Sequence, residues 1–321
     1  MTSIVLLDAD TLAGAALSNL QIDGCQLTIW PATASEQRLS RCQHADIVIS
    51  NKVMLDAELL RQCPQLKLIC VAATGINNID LGVATELGIQ VCNVRDYALH
   101  AVPQHCMALL LALTNQVVAN QQAVQRGDWA RSAHFCLHQH PIQSLFGKTL
   151  TIIGHGGLGQ ATARLAQAFG MQICLAERPD AQVLRPGRTA FRQAIQQADV
   201  VSLHCPAQAG QGYLLGATEL SWFKPTALLI NTARGSLIDP AALLAALQNG
   251  QLAGAALDVL QQEPPAADDL LCQSLLPNLL LSPHVAWATQ SSITLLVEQL
   301  ADNIRQFLQG TPVRCCNTVP L

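Results

Sequence analysis

What this sequence lacks narrows the field first. Only 12% of its 321 residues are charged, and Lys and Arg stand singly, never in a run. A formal charge of −4 offers no polycationic face, so neither nucleic acid nor an anionic membrane is expected as the main partner. No apolar stretch approaches the roughly 18 residues that a membrane-spanning helix requires. Among twelve cysteines there is no C-x-x-C pair, which removes the usual signature of zinc ribbons and thioredoxin-type redox sites. His134, His138 and His140 in "HFCLHQHP" have no acidic residue or cysteine at supporting ligand spacing, so no metal is expected. A Gly/Ser or Pro-rich linker, a short-period repeat and a low-complexity tract are absent too. The start, "MTSIVLLDAD", carries no basic residue ahead of its apolar run and reads as a first strand, not a signal peptide.

What is there is apolar and periodic. Half of the residues are hydrophobic, too many for disorder, and 321 residues exceed what one core usually supports, so two domains are expected. Cys70, Cys92, Cys106, Cys174 and Cys205 lie inside apolar segments, where cysteine acts as a small hydrophobe. That usage fits a reduced, cytoplasmic protein. Cys315 and Cys316 receive no role. "IVLLD", "DIVIS", "LKLICVA" and "IQVCN" read as strands separated by helical segments such as "LDAELLRQC" and "NIDLGVATELG". This is the βαβ rhythm of a parallel sheet covered on both faces. "AVPQHCMALLLALTNQVVANQQAVQRG" reads as one long, mostly apolar helix. A second alternating series begins at "KTLTIIGHGGLGQ" and runs to "LAGAALDVL". The last helix, "TQSSITLLVEQLADNIRQFLQG", places Ile293, Val297, Leu300, Ile304 and Leu308 on one stripe and ends at Gly310. The expectation is α/β, with two doubly wound parallel-sheet domains. One is residues 1–99 with 288–321, the other residues 100–287, with a cleft between them and hinges near 98–102 and 285–290.

The glycines of "GHGGLG" carry the first chemistry. Gly154, Gly156 and Gly159 have G-x-G-x-x-G spacing, preceded by an apolar strand and followed by a helix that Gly157 and Leu158 open. Gly154 permits the tight turn, Gly156 lets the backbone approach a pyrophosphate, and Gly159 lets helix and strand pack closely. The helix N-terminus offers open N–H groups to phosphates. Glu177, 18 residues after Gly159, stands where an acid would accept the adenosine ribose hydroxyls and repel a 2′-phosphate, favouring NAD. Arg178 beside it suits that phosphate, so NADP stays open. The second domain is therefore a Rossmann, dinucleotide-binding domain, and the first a flavodoxin-like substrate domain.

A nicotinamide supplies a hydride but no proton, so the protein must add a cation for an oxo acid and a general acid for the developing alkoxide. Three residues stand at successive strand ends: Arg234 after "ALLINTA", Glu263 after "ALDVLQQ" and His284 after "LLLSP". The planar guanidinium of Arg234 suits a two-point grip on an oxo acid. A carboxylate beside an imidazole orients the ring and stabilises imidazolium, which makes a proton donor.

With these residues in place, the chain resembles the D-isomer-specific 2-hydroxyacid dehydrogenases over nearly its whole length. The marks are "GHGGLG", "ADVVSLHCP", "LLINTARGSLID", "ALDVLQQEPP" and "LSPHVAW". The resemblance implies that Arg234 binds substrate and that Glu263 and His284 transfer the proton. It also implies that Asp258 lies near the nicotinamide amide and that His204, Cys205, Pro206, Thr232 and Ala233 border the cofactor. Within the family, "SNKVMLD", "LKLICVAATGINNID" and "VPQHCMALLLAL" look most like the glycerate dehydrogenase (hydroxypyruvate reductase) branch. In "VAATGINNID", the N–H groups of Ala73, Thr74 and Gly75 suit a carboxylate nest. The other reading of that stretch is a plain turn capped by Asn77 or Asn78. By the same resemblance, Asn51 and Lys52 lie near the substrate. The chain departs from the family at "HCPAQAGQGYLL", where Ala207, Gln208 and Gln211 replace the usual Leu-Thr and a later threonine. The expected activity is an NAD-dependent reduction of a 2-oxo acid, hydroxypyruvate first. D-lactate or glyoxylate chemistry, or an NAD-sensing corepressor-like scaffold, are the alternatives. A homodimer is expected by resemblance, with Trp129, Phe135 and Leu137 at its contact. His100, His105 and His155 are read as structural.

Overall fold

The computed structural model describes residues 1–12, 14–207, 210 and 212–319. Gln208 and Gln211, two positions of the departing loop, lie outside the described residues. The chain divides into two compact units, Met1–Ala98 with Ala288–Leu321, and Leu99–Trp287.

The first unit is a five-stranded parallel sheet. Its strands are β1 (Thr2–Leu6), β2 (Cys25–Ile29), β3 (Ile47–Ser50), β4 (Leu68–Val71) and β5 (Gln90–Cys92), in the order β2-β1-β3-β4-β5. That is the flavodoxin order, in which the connection changes side between β1 and β3. β3 and β4 are buried along their whole length, so they read as continuous apolar runs. β2 is an edge strand with no fully buried residue, and "CQLTI" accordingly gives no strand signal in the sequence. Helices α1 (Arg38–Cys42), α2 (Ala57–Arg61) and α3 (Leu81–Glu86) connect the strands. The N-cap of α3 is Asp80, whose carboxylate accepts from the Val83 N–H at 3.0 Å, so neither Asn77 nor Asn78 caps it. The C-terminal helix, Gln290–Leu308, buries Ile293, Val297, Leu300 and Ile304. Leu308, expected on that stripe, is 44% exposed; it sits in the final turn, which Gly310 ends at φ +77°.

The second unit opens with α4 (Ala101–Thr114) and α5 (Val117–Gln125). These correct the expected single helix, because the pair is bent by 56°. Asn115 Nδ2 and Gln116 Nε2 donate to the Leu111 and Leu113 carbonyls, and Gln116 turns left-handed at φ 52°. Then follow β6 (Thr149–Ile153), α6 (Gly157–Ala168), β7 (Gln172–Leu175), α7 (Phe191–Gln197), β8 (Val200–Leu203), α8 (Ala217–Leu220), β9 (Leu228–Asn231), α9 (Pro240–Gln248), β10 (Gly254–Leu257) and β11 (Leu279–Leu281). The parallel sheet runs β11-β10-β9-β8-β6-β7. Thr189 forms a single parallel bridge with Ala176 just beyond β7. Counted as a strand, it completes the 3-2-1-4-5-6 Rossmann order with one strand added. Leu109, Leu110 and Leu113 of α4 pack on Leu150, Ile152, Leu228 and Ile230 of the sheet. Among the described residues no single helix is long and apolar enough to cross a membrane.

Candidate functional site

In the second unit, β6 and β8 are the neighbours between which the winding reverses, and ligands of doubly wound sheets bind outside the strand ends there. The glycine turn follows β6 and His204–Pro206 follows β8. The two loops touch through backbone. A Cβ on Gly154, which has φ +95°, would lie 2.5 Å from the Cys205 nitrogen. A Cβ on Gly159 would lie 2.2 Å from the Gly154 carbonyl oxygen. Gly156 differs, since a Cβ there would meet nothing within 4 Å. Gly156 is also the N-cap of α6, has no side chain to cap it, and leaves the N–H groups of Gly157, Leu158 and Gly159 without intrahelical partners. Two strands along the same sheet, past the end of β9, Thr232 Oγ1 is buried with no hydrogen-bond partner among the described residues. An open glycine, an uncapped twelve-residue helix and an orphaned hydroxyl fit a bound dinucleotide.

His204 lines the same end. Its Nε2 is 2.8 Å from Ser202 Oγ, which meets Cys106 Sγ at 3.3 Å, and burial pushes the imidazole down to about 4. Burial raises the Cys205 thiol, so it sits there as an apolar group, while Pro206 is exposed and Ala233 is half-buried.

Glu177 is where the sequence placed it, just past β7, but its carboxylate is engaged within the protein. It is 3% exposed. Arg185 Nε donates to Oε2 at 2.8 Å, Arg185 Nη2 to Oε1, and the Arg178 and Arg185 N–H groups donate at 2.9 and 3.1 Å. Arg185, followed by the backbone of Arg178, holds the Glu177 carboxyl well below the usual carboxylate range. Arg178 itself is exposed.

Arg234, Glu263 and His284 extend from adjacent strands. Asn231, Leu257 and Leu281, at the ends of β9, β10 and β11, stand in one row across the sheet. Arg234 lies three residues past that row, Glu263 six and His284 three. Oε2 of Glu263 is 2.6 Å from His284 Nδ1, and its Oε1 accepts from the Leu260 N–H at 2.9 Å. Both side chains keep about a third of their surface open, 33% and 30%. Arg234 is exposed, and its Nη1 donates to the Ala233 carbonyl at 2.6 Å. The fully buried Asn231 pins the Arg234 loop, accepting from Ala233 N–H at 2.9 Å and donating to the Arg234 carbonyl at 2.8 Å. Gly235 then lies flat on the β10 loop, where a Cβ would be 1.9 Å from the Leu260 carbonyl carbon.

His284 has a left-handed backbone, φ 54°, which is unfavourable for a residue with a Cβ. Asp258 holds it there. The Asp258 carbonyl accepts from the His284 N–H at 2.9 Å. Its carboxylate accepts from Val285 and Ala286 N–H at 3.0 and 2.8 Å and from Ser282 Oγ at 2.5 Å. His105 Nε2 reaches Ser282 Oγ at 3.0 Å and lies 3.4 Å from Asp258 Oδ1. Burial acts to raise the Asp258 carboxyl, but hydrogen bonds from His105, Ser282, Ala286 and Val285 outweigh it and hold it low. The oxygens expected near a nicotinamide amide are thus engaged in supporting the His284 loop.

In the first unit, Asn51 and Lys52 follow β3 at that sheet's own switch point. Asp8, 4% exposed at the end of β1, accepts from the N–H groups of Asn51, Lys52 and Val53 at 2.7–3.3 Å. Asn51 Nδ2 donates to Thr11 Oγ1 at 3.0 Å, and Lys52 is exposed. Past β4, Thr74 Oγ1 donates to the Val94 carbonyl and Asn93 Nδ2 donates to the Thr74 carbonyl, which fixes the bend. Among the described residues nothing accepts from the N–H of Ala73, Thr74 or Gly75. These three consecutive N–H groups are the donors that the sequence offered to a carboxylate.

The family model for "D-isomer specific 2-hydroxyacid dehydrogenase, NAD binding domain" matches residues 107–286. This chain belongs to that family. It is 44% identical over 284 residues to a putative 2-hydroxyacid dehydrogenase of Haemophilus influenzae, covering 88% of this chain and 90% of that one. It is 42% identical over 277 residues to glycerate dehydrogenase of Methylorubrum extorquens, covering 86% and 87%. A solved acyclic imino acid reductase in complex with NADPH and D-Arg superposes with a TM-score of 0.87 at 26% identity, covering 98% and 100%. The protein is an NAD-dependent D-2-hydroxyacid dehydrogenase, with NADP as a possible cofactor, and its family acts on small 2-hydroxy and 2-oxo acids.

Several residues that fix the candidate positions escaped the sequence reading: Asp8 in the first unit, and Asn231, Ser282 and Arg185 in the second. His105 was read as structural and serves the Asp258 network. Each acts through the backbone or through another side chain, and a single sequence carries little signal of that. Asp8 had a faint one, since an acid directly after a buried strand needs donors.

Proposed function

We propose that this dehydrogenase reduces hydroxypyruvate to D-glycerate, with His284 as proton donor, Glu263 as its orienting carboxylate and Arg234 as the grip on the oxo acid. The observation that carries the reading is the 2.6 Å contact between Glu263 Oε2 and His284 Nδ1 at adjacent strand ends. Likeness to the Methylorubrum extorquens glycerate dehydrogenase supports the substrate. Bound NADH supplies the hydride that C2 of the oxo acid receives. His284 gives a proton from Nε2 to the carbonyl oxygen, so that C2 ends as an alcohol. Glu263 anchors Nδ1, fixes the ring and balances its positive charge. The Arg234 fork meets the carboxylate and carbonyl oxygens. Gly154, Gly156, Gly157, Leu158 and Gly159 would hold the pyrophosphate of a bound dinucleotide, and His204, Cys205, Pro206, Thr232 and Ala233 would line it. Asn51 and Lys52, with the N–H groups of Ala73, Thr74 and Gly75, suit the substrate's carboxylate or hydroxymethyl end.

Steady-state oxidation of NADH and NADPH with hydroxypyruvate, glyoxylate and pyruvate tests this. The highest kcat/KM is expected with hydroxypyruvate. Preference for glyoxylate or pyruvate would move the substrate and leave the roles intact, while failure of all three despite tight NADH binding would point to a sensing scaffold. We also propose a cytoplasmic homodimer. Trp129 and Phe135, 52% and 91% exposed, give a second copy an apolar face, with half-buried Leu137 beside them. Sedimentation would show it.

A further inference from the structure

We propose that Arg185 sets which adenine dinucleotide this enzyme accepts: by pairing with Glu177 it cancels the acid that would turn away a 2′-phosphate, so the 2′-phosphorylated cofactor binds along with the unphosphorylated one. The proposal rests on the reading of the β7 end as the adenosine side of the cofactor site, and it names the residue that determines specificity there.

An acid at the end of the second Rossmann strand selects against a 2′-phosphate in two ways. Its oxygens accept the ribose hydroxyls, and its charge repels the phosphate. Both require oxygens that are open and a charge that is uncompensated. Glu177 meets neither condition. A carboxylate offers about four lone-pair sites. Here Oε1 already accepts from the Arg178 N–H and from Nε and Nη2 of Arg185, and Oε2 accepts from the N–H and Nε of Arg185. The two side chains meet in the bidentate, fork-to-fork manner that makes charge-assisted bonds strong. With 3% of Glu177 exposed, a ribose cannot reach its oxygens until the pair opens.

The charge around the pair points the same way. From 177 to 188 the loop carries Glu177 and Asp180 against Arg178, Arg185 and Arg188, one net positive charge. Arg178 is exposed beside the pair, and the Arg185 side chain keeps 52% of its surface open, with no described hydrogen bond on Nη1. Arg188 donates from Nη1 to the Ala176 carbonyl at 2.9 Å. It lies near enough to the glycine turn to help burial lower the His155 imidazole. A dianionic phosphate entering here meets guanidinium groups, with the one buried acid already neutralised.

Titration calorimetry of the wild-type protein with AMP and with adenosine 2′,5′-bisphosphate tests this, alongside NADH and NADPH affinities from nicotinamide fluorescence. The two adenosine ligands are expected to bind the wild type within about tenfold of each other. Arg185→Gln unmasks Glu177 and should weaken the bisphosphate and NADPH by about tenfold or more, the worth of a charge-assisted hydrogen bond, while AMP and NADH hold or tighten. Glu177→Gln should leave the bisphosphate as tight as before or tighter. A wild type that favours AMP by more than about a hundredfold would overturn the proposal, as would an Arg185→Gln variant that shifts both ligands equally. No heat with AMP in the wild type would overturn the placement of the adenosine end, and the proposal with it. AMP binding with the bisphosphate excluded would overturn the proposal alone.

Discussion

Oε2 of Glu263 lies 2.6 Å from Nδ1 of His284, across 21 residues of chain. Glu263→Gln keeps the side-chain length and removes the charge that balances an imidazolium. We expect kcat to fall by about 10²–10⁴-fold with hydroxypyruvate, the range for loss of a proton-transfer group, with NADH affinity unchanged. His284→Ala should fall as far. Pre-steady-state hydride transfer and nicotinamide fluorescence check the two halves. Turnover that survived either change would remove the proton-donor role.

Asp258→Asn should loosen the loop that carries His284. An amide has one acceptor oxygen, whereas Val285 and Ala286 donate to the two separate oxygens of Asp258. One N–H would then face the amide nitrogen at a cost of about 1–3 kcal/mol. Denaturant unfolding reads that loss, and kcat should drop more than the NADH affinity does. A variant as stable and as fast as the wild type would show that the network is not what holds His284.

Gly156 and Gly159, two and five residues beyond Gly154, separate fold from ligand. Gly156→Ala adds a Cβ that meets no atom of the described residues within 4 Å, on a backbone of φ −80° and ψ −166° that alanine adopts. Stability should stay within about 0.5 kcal/mol, and NADH should weaken by about tenfold or more because the Cβ stands where the pyrophosphate approaches. Gly159→Ala puts a Cβ 2.2 Å from the Gly154 carbonyl oxygen and should destabilise by about 3 kcal/mol. Melting curves with and without NADH distinguish the two.

The pH response should carry a mark of His204. Burial lowers its imidazole from the ordinary 6.5 to about 4, so between those values the unfolded chain binds a proton that the folded chain refuses. Stability should therefore drop as the pH is lowered through that window, by at most about 1.4 kcal/mol per pH unit from this group. His204→Gln should flatten the slope in urea titrations at pH 7, 6 and 5. An unchanged slope would assign the acid sensitivity elsewhere.

The parallel sheets were legible because buried strands such as β3, β4 and β9 are unbroken apolar runs. β2 was not, because an edge strand with partial burial has no such run. The break at Gln116 was hidden for a related reason: hydrophobic periodicity continues through it while side-chain amides take over the carbonyls. In the site, the glycine spacing and the strand-end positions of Arg234, Glu263 and His284 are properties of chain order, which a sequence displays. The engagement of Glu177 by Arg185 is a choice of partner eight residues on, in a loop without periodicity, and only coordinates display it.

Because Asn231, Leu257 and Leu281 share a row, the spacing of Arg234, Glu263 and His284 is set by hydrogen-bonded neighbours and by the few residues beyond each strand. The parts of the crossovers that follow Arg234 and Glu263 carry none of the three groups. Insertions in the exposed part of the β10–β11 crossover, at residues 266–268 and short of the buried Leu271, should therefore be borne with little change in turnover. A single residue added between Leu281 and His284 would swing the imidazole out of reach.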